Sequence, residues 1–264
     1  MRLAYSVIPF APMLDEAEDA PRVARLEALV TSASLDRSFR TWSLVGGWSL
    51  VAATVLFVAE FSYLSSTFDY PMILDRPASE VLPRLVSLGW AGRGVWIIYG
   101  LTPLLLIPAS HGVAAASRDG APHASRAAVV VATLSAVFMV AGLLRWPSLH
   151  WHLALAYGSG TAAARESIDA IFAAANSYLG TFTGEFLGEL FLNAFFAFAS
   201  FALVRSGAAS RWVLYTGAAV SLIGAVAMLR NVTTLVAPIA AVNNAVLPLW
   251  LLVLGVVLLR ARPR

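Results

Sequence analysis

The chain has 264 residues, 59% of them hydrophobic and 12% charged, with a net charge of +3 and a mean hydropathy of +0.76. A soluble domain carries about 25% charged residues, and its interior is too small to hide this much apolar surface, so a single water-soluble domain is excluded. There is no cysteine, and all 18 basic residues are arginine, which excludes disulfides, thiolate metal sites, iron–sulfur clusters, a Schiff-base lysine and a Walker lysine.

Residues 1–41 are the most charged part and read as a cytoplasmic tail. The apolar stretch Leu3 to Leu14 is short, is broken by Pro9 and Pro12, and lacks a small-residue cleavage site, unlike a signal peptide. Asp19-Ala20-Pro21 has the form of a helix start. Val23, Leu26, Leu29 and Val30 follow at helical spacing, which predicts an amphipathic helix.

Residues 42–264 hold six apolar runs: 42–64, 94–116, 127–144, 182–204, 212–229 and 236–259. About 20 apolar residues in a helix cross about 30 Å of hydrocarbon, and lipid cannot satisfy an open strand edge. The fold class is therefore all-α: a polytopic six-helix membrane protein with short amphipathic interfacial helices. With six spans both termini share a side. That side holds twelve arginines: Arg2, Arg22, Arg25, Arg37, Arg40, Arg118, Arg126, Arg205, Arg211, Arg260, Arg262 and Arg264. The other side holds six: Arg76, Arg84, Arg93, Arg145, Arg165 and Arg230. Positive-inside places both termini in the cytoplasm, and Trp42, Trp90, Trp146, Trp151 and Trp212 fall at run ends as an interfacial belt. The segments 65–93 and 145–181 then face outward. The first reads as turns with a helical turn or two. The second carries an amphipathic helix over 161–179 along the outer interface.

The residues with chemical potential gather around the fourth run. Gly180, Gly184 and Gly188 recur every four residues, forming a face on which another helix can pack closely. Glu185, Glu189 and Asn193 make a polar stripe beside it. Intramembrane carboxylates cost about 3 kcal/mol or more and must face protein or water, so the stripe either lines an outward-facing polar pocket or pairs with Arg145 or Arg230, Arg145 being the expected partner of Glu189. Glu60 either joins this cluster or reaches the interface. His150 and His152, with Glu185 and Glu189, form a candidate divalent-metal site; the alternative is two interfacial histidines beside the Trp151 anchor. No cofactor is otherwise predicted. Asn243 and Asn244, between Pro238 and Pro248, either line a cavity or sit in a kink satisfied by neighbouring helices. Gly217, Ser221 and Ala225 form a small-residue packing seam on the fifth run.

The order of spans, the Leu143-Leu144-Arg145-Trp146 run end, Asn176-Ser177-Tyr178 and Gly184-Glu185-Phe186-Leu187-Gly188 resemble the domain of unknown function 4386 family of bacterial multi-pass membrane proteins, over roughly residues 42–260. The resemblance implies a bacterial cytoplasmic (inner) membrane location and assigns no activity and no functional residue. Three functions stay open. The first is a non-catalytic binding or accessory protein with an outward polar pocket. The second is a small-molecule or ion transporter using a protonatable intramembrane glutamate. The third is a metal-dependent membrane enzyme. The expected partners are the lipid bilayer and another membrane protein or a second copy. The arginines lie between apolar runs and form no stripe for nucleic acid.

Overall fold

The structure, a computed structural model, describes residues 16–118 and 120–262; of residues 16–37 only Arg25 is described beyond its backbone. Residues 1–15 and the apolar face expected at Val23 to Val30 lie outside the described side chains. The chain divides into two compact units, Met1–Ser38 and Phe39–Arg264. The first is helical from Glu16 onward.

The second unit is all-helical among the described residues. Six helices are long and apolar enough to cross a membrane: Ser38–Phe68, Gly89–Ala116, Pro122–Ser159, Ala162–Arg205, Arg211–Asn231 and Thr234–Arg260, here spans one to six. Close approaches fix their directions. Gly46 of span one meets Gly112 of span two, where a methyl on Gly46 would lie 2.7 Å from Gly112 Cα; the adjacent Gly47 meets Gly255 of span six, a methyl there lying 2.9 Å from the Gly255 carbonyl oxygen. Two neighbouring glycines thus let one helix approach two others closely, Gly47 also receiving the Leu259 side chain. Each consecutive pair of spans is antiparallel, so Phe39 and Arg260 share one end, the near end. Span four turns off at Gly207, whose φ of 72° suits glycine, with Ala209 N donating to Leu203 O at 3.0 Å.

Spans three and four are much longer than the apolar runs predict. Their 38 and 44 residues are about 57 and 66 Å of helix against about 30 Å of hydrocarbon. The segment 145–181, expected as a loop with a separate interfacial helix, instead continues both spans and turns only at Gly160-Thr161. Thr161 caps the returning helix Ala162–Ala175 by accepting from Ala164 N at 3.3 Å. Charged residues such as Arg165, Glu166 and Asp169 hid this continuation from a hydropathy reading, because helix length and apolar length need not coincide.

Two widened segments mark the junctions. At Trp146–His150, Pro147 has no N–H for the carbonyl four residues back, and His150 N bonds the Arg145 carbonyl five back at 2.8 Å. The second widened stretch, Asn176–Leu187, carries two of the glycines and Glu185. Span two is interrupted as well: a tight 3₁₀ stretch, Thr102–Leu105, begins beside Pro103. Span six is one continuous helix from Ala237 to Arg260 with Pro248 inside it.

Two apolar cores result. One runs between the spans through Leu50, Val113, Ala132, Phe195, Phe196, Leu203 and Leu254. The other lies at the far end. The segment after span one, expected as turns with a helical turn or two, holds the ten-residue helix Ala78–Ser87, whose Val81, Leu82 and Leu85 pack with Phe68, Trp96, Trp146, Trp151, Ile168 and Phe172. Trp96 and Trp146 stack at 4.8 Å, and Phe68 stands edge-on to both. Arg145, 5.1 Å from the Trp146 ring, joins this aromatic cluster to the polar side chains described next.

Candidate functional site

Glu185 and Glu189 leave span four a turn apart and both reach Arg230 at the end of span five. Arg230 Nη1 donates to Glu189 Oε2 at 2.8 Å and Nη2 to Glu189 Oε1 at 2.5 Å; Nη2 also donates to Glu185 Oε2 at 3.1 Å. One guanidinium thus holds two carboxylates, and the charge of Arg145 also acts on Glu185. The side chains of Arg230, Glu185 and Glu189 are 27%, 31% and 13% exposed. A charge-assisted, two-bond geometry of this kind fixes direction as well as attraction. Asn193 extends the stripe one turn deeper: it is buried, and its Nδ2 donates to the Glu189 carbonyl at 2.8 Å.

Arg145 is not the partner of Glu189, contrary to expectation. It lies buried, with Nε and Nη2 donating to Asn176 Oδ1 at 3.3 and 2.9 Å and Nη1 to the Gly142 carbonyl at 2.6 Å, and its guanidinium sits 5.1 Å from the Trp146 ring. Arg145 stands just before the widened turn at Trp146–His150, and its guanidinium folds back along its own helix to Gly142 and across to Asn176. Asn176 in turn donates to the Leu74 carbonyl at 3.4 Å, tying the 69–76 segment to the bundle.

The glycine face packs against span three, and each glycine has its own task. Gly184 meets Gly142 backbone to backbone, where a methyl on Gly184 would lie 2.9 Å from Gly142 Cα. Gly188 takes the Met139 side chain. Gly180 makes room for a guanidinium, a methyl there falling 2.6 Å from Arg145 Cζ. On span five, Gly217 lies against Ser200 and Trp250, as the seam predicts, while Ser221 only bonds its own helix, donating to the Gly217 carbonyl at 2.7 Å. The second close contact on that helix is Gly224, against which Asn193 rests: a methyl on Gly224 would be 2.6 Å from Asn193 Cγ. Gly217 and Gly224 are seven residues apart and face Ser200 and Asn193, also seven apart. A search for four-residue spacing missed Gly224, whereas a two-turn spacing finds it.

Tyr70 and Tyr99 border the cluster, their rings 6.1 Å apart and edge-on. Tyr70 lies in the connection between spans one and two. Burial pushes its phenol above the ordinary tyrosine value, and the Glu185 charge adds to this; its hydrogen bond with Tyr99 and the charges of Arg145 and Arg230 act the other way. Glu60 is buried on span one and meets the Thr102 hydroxyl. Tyr70, Tyr99 and Thr102 carried no motif in the sequence.

The remaining candidates are not brought together. His150 is fully buried between the rings of Trp146 and Phe172, each at 4.7 Å, and His152 is exposed. Among the described residues no three His, Asp or Glu side chains are grouped as a metal would require. On span six Asn243 is buried and Asn244 exposed. No protein-family model, curated protein or solved structure matches the chain.

Proposed function

We propose that this chain is a bacterial cytoplasmic-membrane protein of the domain of unknown function 4386 family, with both termini cytoplasmic, and that it is a non-catalytic binding or accessory component. Its ligand site is the outward-facing cluster of Glu185, Glu189 and Arg230. The observation that carries this reading is the single arginine shared between two carboxylates. One guanidinium serves both, and the Glu185 side chain, which it holds by a single bond, is 31% exposed. Glu185 lies on the widened stretch Asn176–Leu187, and widened turns inside α-helices are frequent at functional sites. Its chemistry suits a small cation or an amine, which would meet the Glu185 carboxylate while Arg230 holds Glu189 in place.

A thermal-shift panel on the purified protein tests this. Choline, ethanolamine and spermidine are compared with acetate, succinate and phosphate, on wild type and on Glu185→Gln. Stabilisation by at least one cationic probe, lost in the variant, is the expected result. A response to anions alone, or a cation response that survives Glu185→Gln, contradicts it.

Transport is the second reading, and one observation favours it. Span two loses its α-helical bonding at Thr102–Leu105, opposite the buried Glu60. Interrupted helices facing a buried polar group mark substrate and coupling-ion sites in transporters.

A further inference from the structure

Glu60 is 6% exposed, and among the described residues no arginine or histidine pairs with it. It lies eight residues before the end of span one at Phe68, about 12 Å along the helix from that end. A carboxylate in hydrocarbon surroundings demands a counter-charge or a proton. What it meets is one hydroxyl: Thr102 Oγ1 lies 3.2 Å from Glu60 Oε1, 3.3 Å from Oε2 and 3.0 Å from the Ile98 carbonyl oxygen.

These distances do not close with the hydrogens the side chains own. A threonine hydroxyl has one hydrogen and two lone pairs. Four oxygens converge here, those of the carboxylate, the hydroxyl and the carbonyl. The Ile98 carbonyl already accepts from the Thr102 backbone N–H, so the hydroxyl hydrogen is free for Glu60, but it serves one carboxylate oxygen at a time. The other carboxylate oxygen faces the hydroxyl oxygen with no hydrogen between them, and the buried group gains no counter-charge from this bond. Directly beside this point Pro103 lacks the N–H that would bond the Tyr99 carbonyl, so the break in span two adds an acceptor and no donor. Tyr99 is the titratable group that faces Glu60 from span two, and Glu185 of span four acts on the same tyrosine.

We infer that Glu60, Thr102 and the Ile98 carbonyl form a binding site for one small monovalent cation, a proton or Na⁺. Either supplies the missing positive charge between the oxygens. A proton on Glu60 donates to Thr102 Oγ1, which passes its own hydrogen to Ile98. A Na⁺ takes the carboxylate, hydroxyl and carbonyl oxygens as ligands, the hard oxygen set that such an ion prefers and that broken helices provide. The site shares no side chain with the Arg230 cluster, so its failure and the failure of the ligand reading are separate results.

The experiment uses the full chain in lipid nanodiscs, as wild type, Glu60→Gln and Thr102→Val. Melting temperature is measured as NaCl replaces N-methylglucamine chloride at constant ionic strength, and infrared difference spectra between neutral and alkaline pH report the carbonyl stretch of a protonated carboxylic acid. If Na⁺ is the ion, wild type gains roughly 5 °C as Na⁺ passes about 100-fold above its Kd; Thr102→Val needs more Na⁺, and Glu60→Gln does not respond. If the proton is the ion, Na⁺ has no effect, and wild type shows an acid carbonyl band that Glu60→Gln lacks and Thr102→Val shifts. A wild-type protein with neither a Na⁺ response nor such a band overturns the inference, as does a Na⁺ response or band that persists unchanged in both variants. Should Glu60→Gln fail to fold, wild type and Thr102→Val decide the matter alone.

Discussion

Arg230 and Glu189 meet through two parallel hydrogen bonds, Nη1 to Oε2 and Nη2 to Oε1, across the packed faces of spans five and four. The pair is joined to a helix contact two turns long, in which Gly224 receives Asn193 and Gly217 receives Ser200. Packing and charge therefore fix the same register. Sliding span five by one residue would break the bidentate pair and drive Asn193 into a methyl or larger group.

The first prediction is energetic coupling. In a double-mutant cycle on thermal stability, Glu189→Gln and Arg230→Met should interact by about 1–3 kcal/mol. Arg230→Met should cost more than Glu189→Gln, because it leaves Glu185 and Glu189 without their guanidinium, whereas after Glu189→Gln Arg230 still holds Glu185. The same cycle with Glu189→Gln and Arg145→Met should be additive, since Arg145 is satisfied by Asn176 and Gly142. Coupling to Arg145 and additivity with Arg230 would reverse the assignment.

The six helices and the glycine face were legible in the sequence because hydropathy and four-residue spacing are local patterns. The partner of Glu189 was not. Arg145 and Arg230 both end an apolar run on one side, and nothing in the sequence says that the first of them folds back onto Gly142. The far-end core was hidden for a different reason. Val81, Leu85, Ile168 and Phe172 find their apolar neighbours in helices distant in sequence, among charged residues that made the first segment read as turns and the second as a separate interfacial helix. Thr102 became significant only when Pro103 was seen to break the helix opposite Glu60.

The second prediction concerns the Gly142–Gly184 contact. Leucine at 184 must push two backbones apart, while Leu187 is only partly buried. Gly184→Leu should destabilise by more than the about 1–3 kcal/mol typical of overpacking, and by more than Leu187→Ala. Equal melting temperatures for the two variants in detergent would show that the backbones do not meet. Gly180→Leu should behave differently again, because it displaces the Arg145 guanidinium.

The account stands most directly on the Arg230 cluster being reachable from outside the cell. The chain has no native cysteine, so Glu185→Cys carries a single thiol at that cluster. Intact cells expressing it should react with a membrane-impermeant, positively charged thiol reagent, and a control cysteine at Ser206, in the link between spans four and five, should react only after permeabilisation. If Glu185→Cys is labelled only in permeabilised cells while Ser206→Cys is labelled in intact ones, the orientation is reversed and the outward-facing site is refuted.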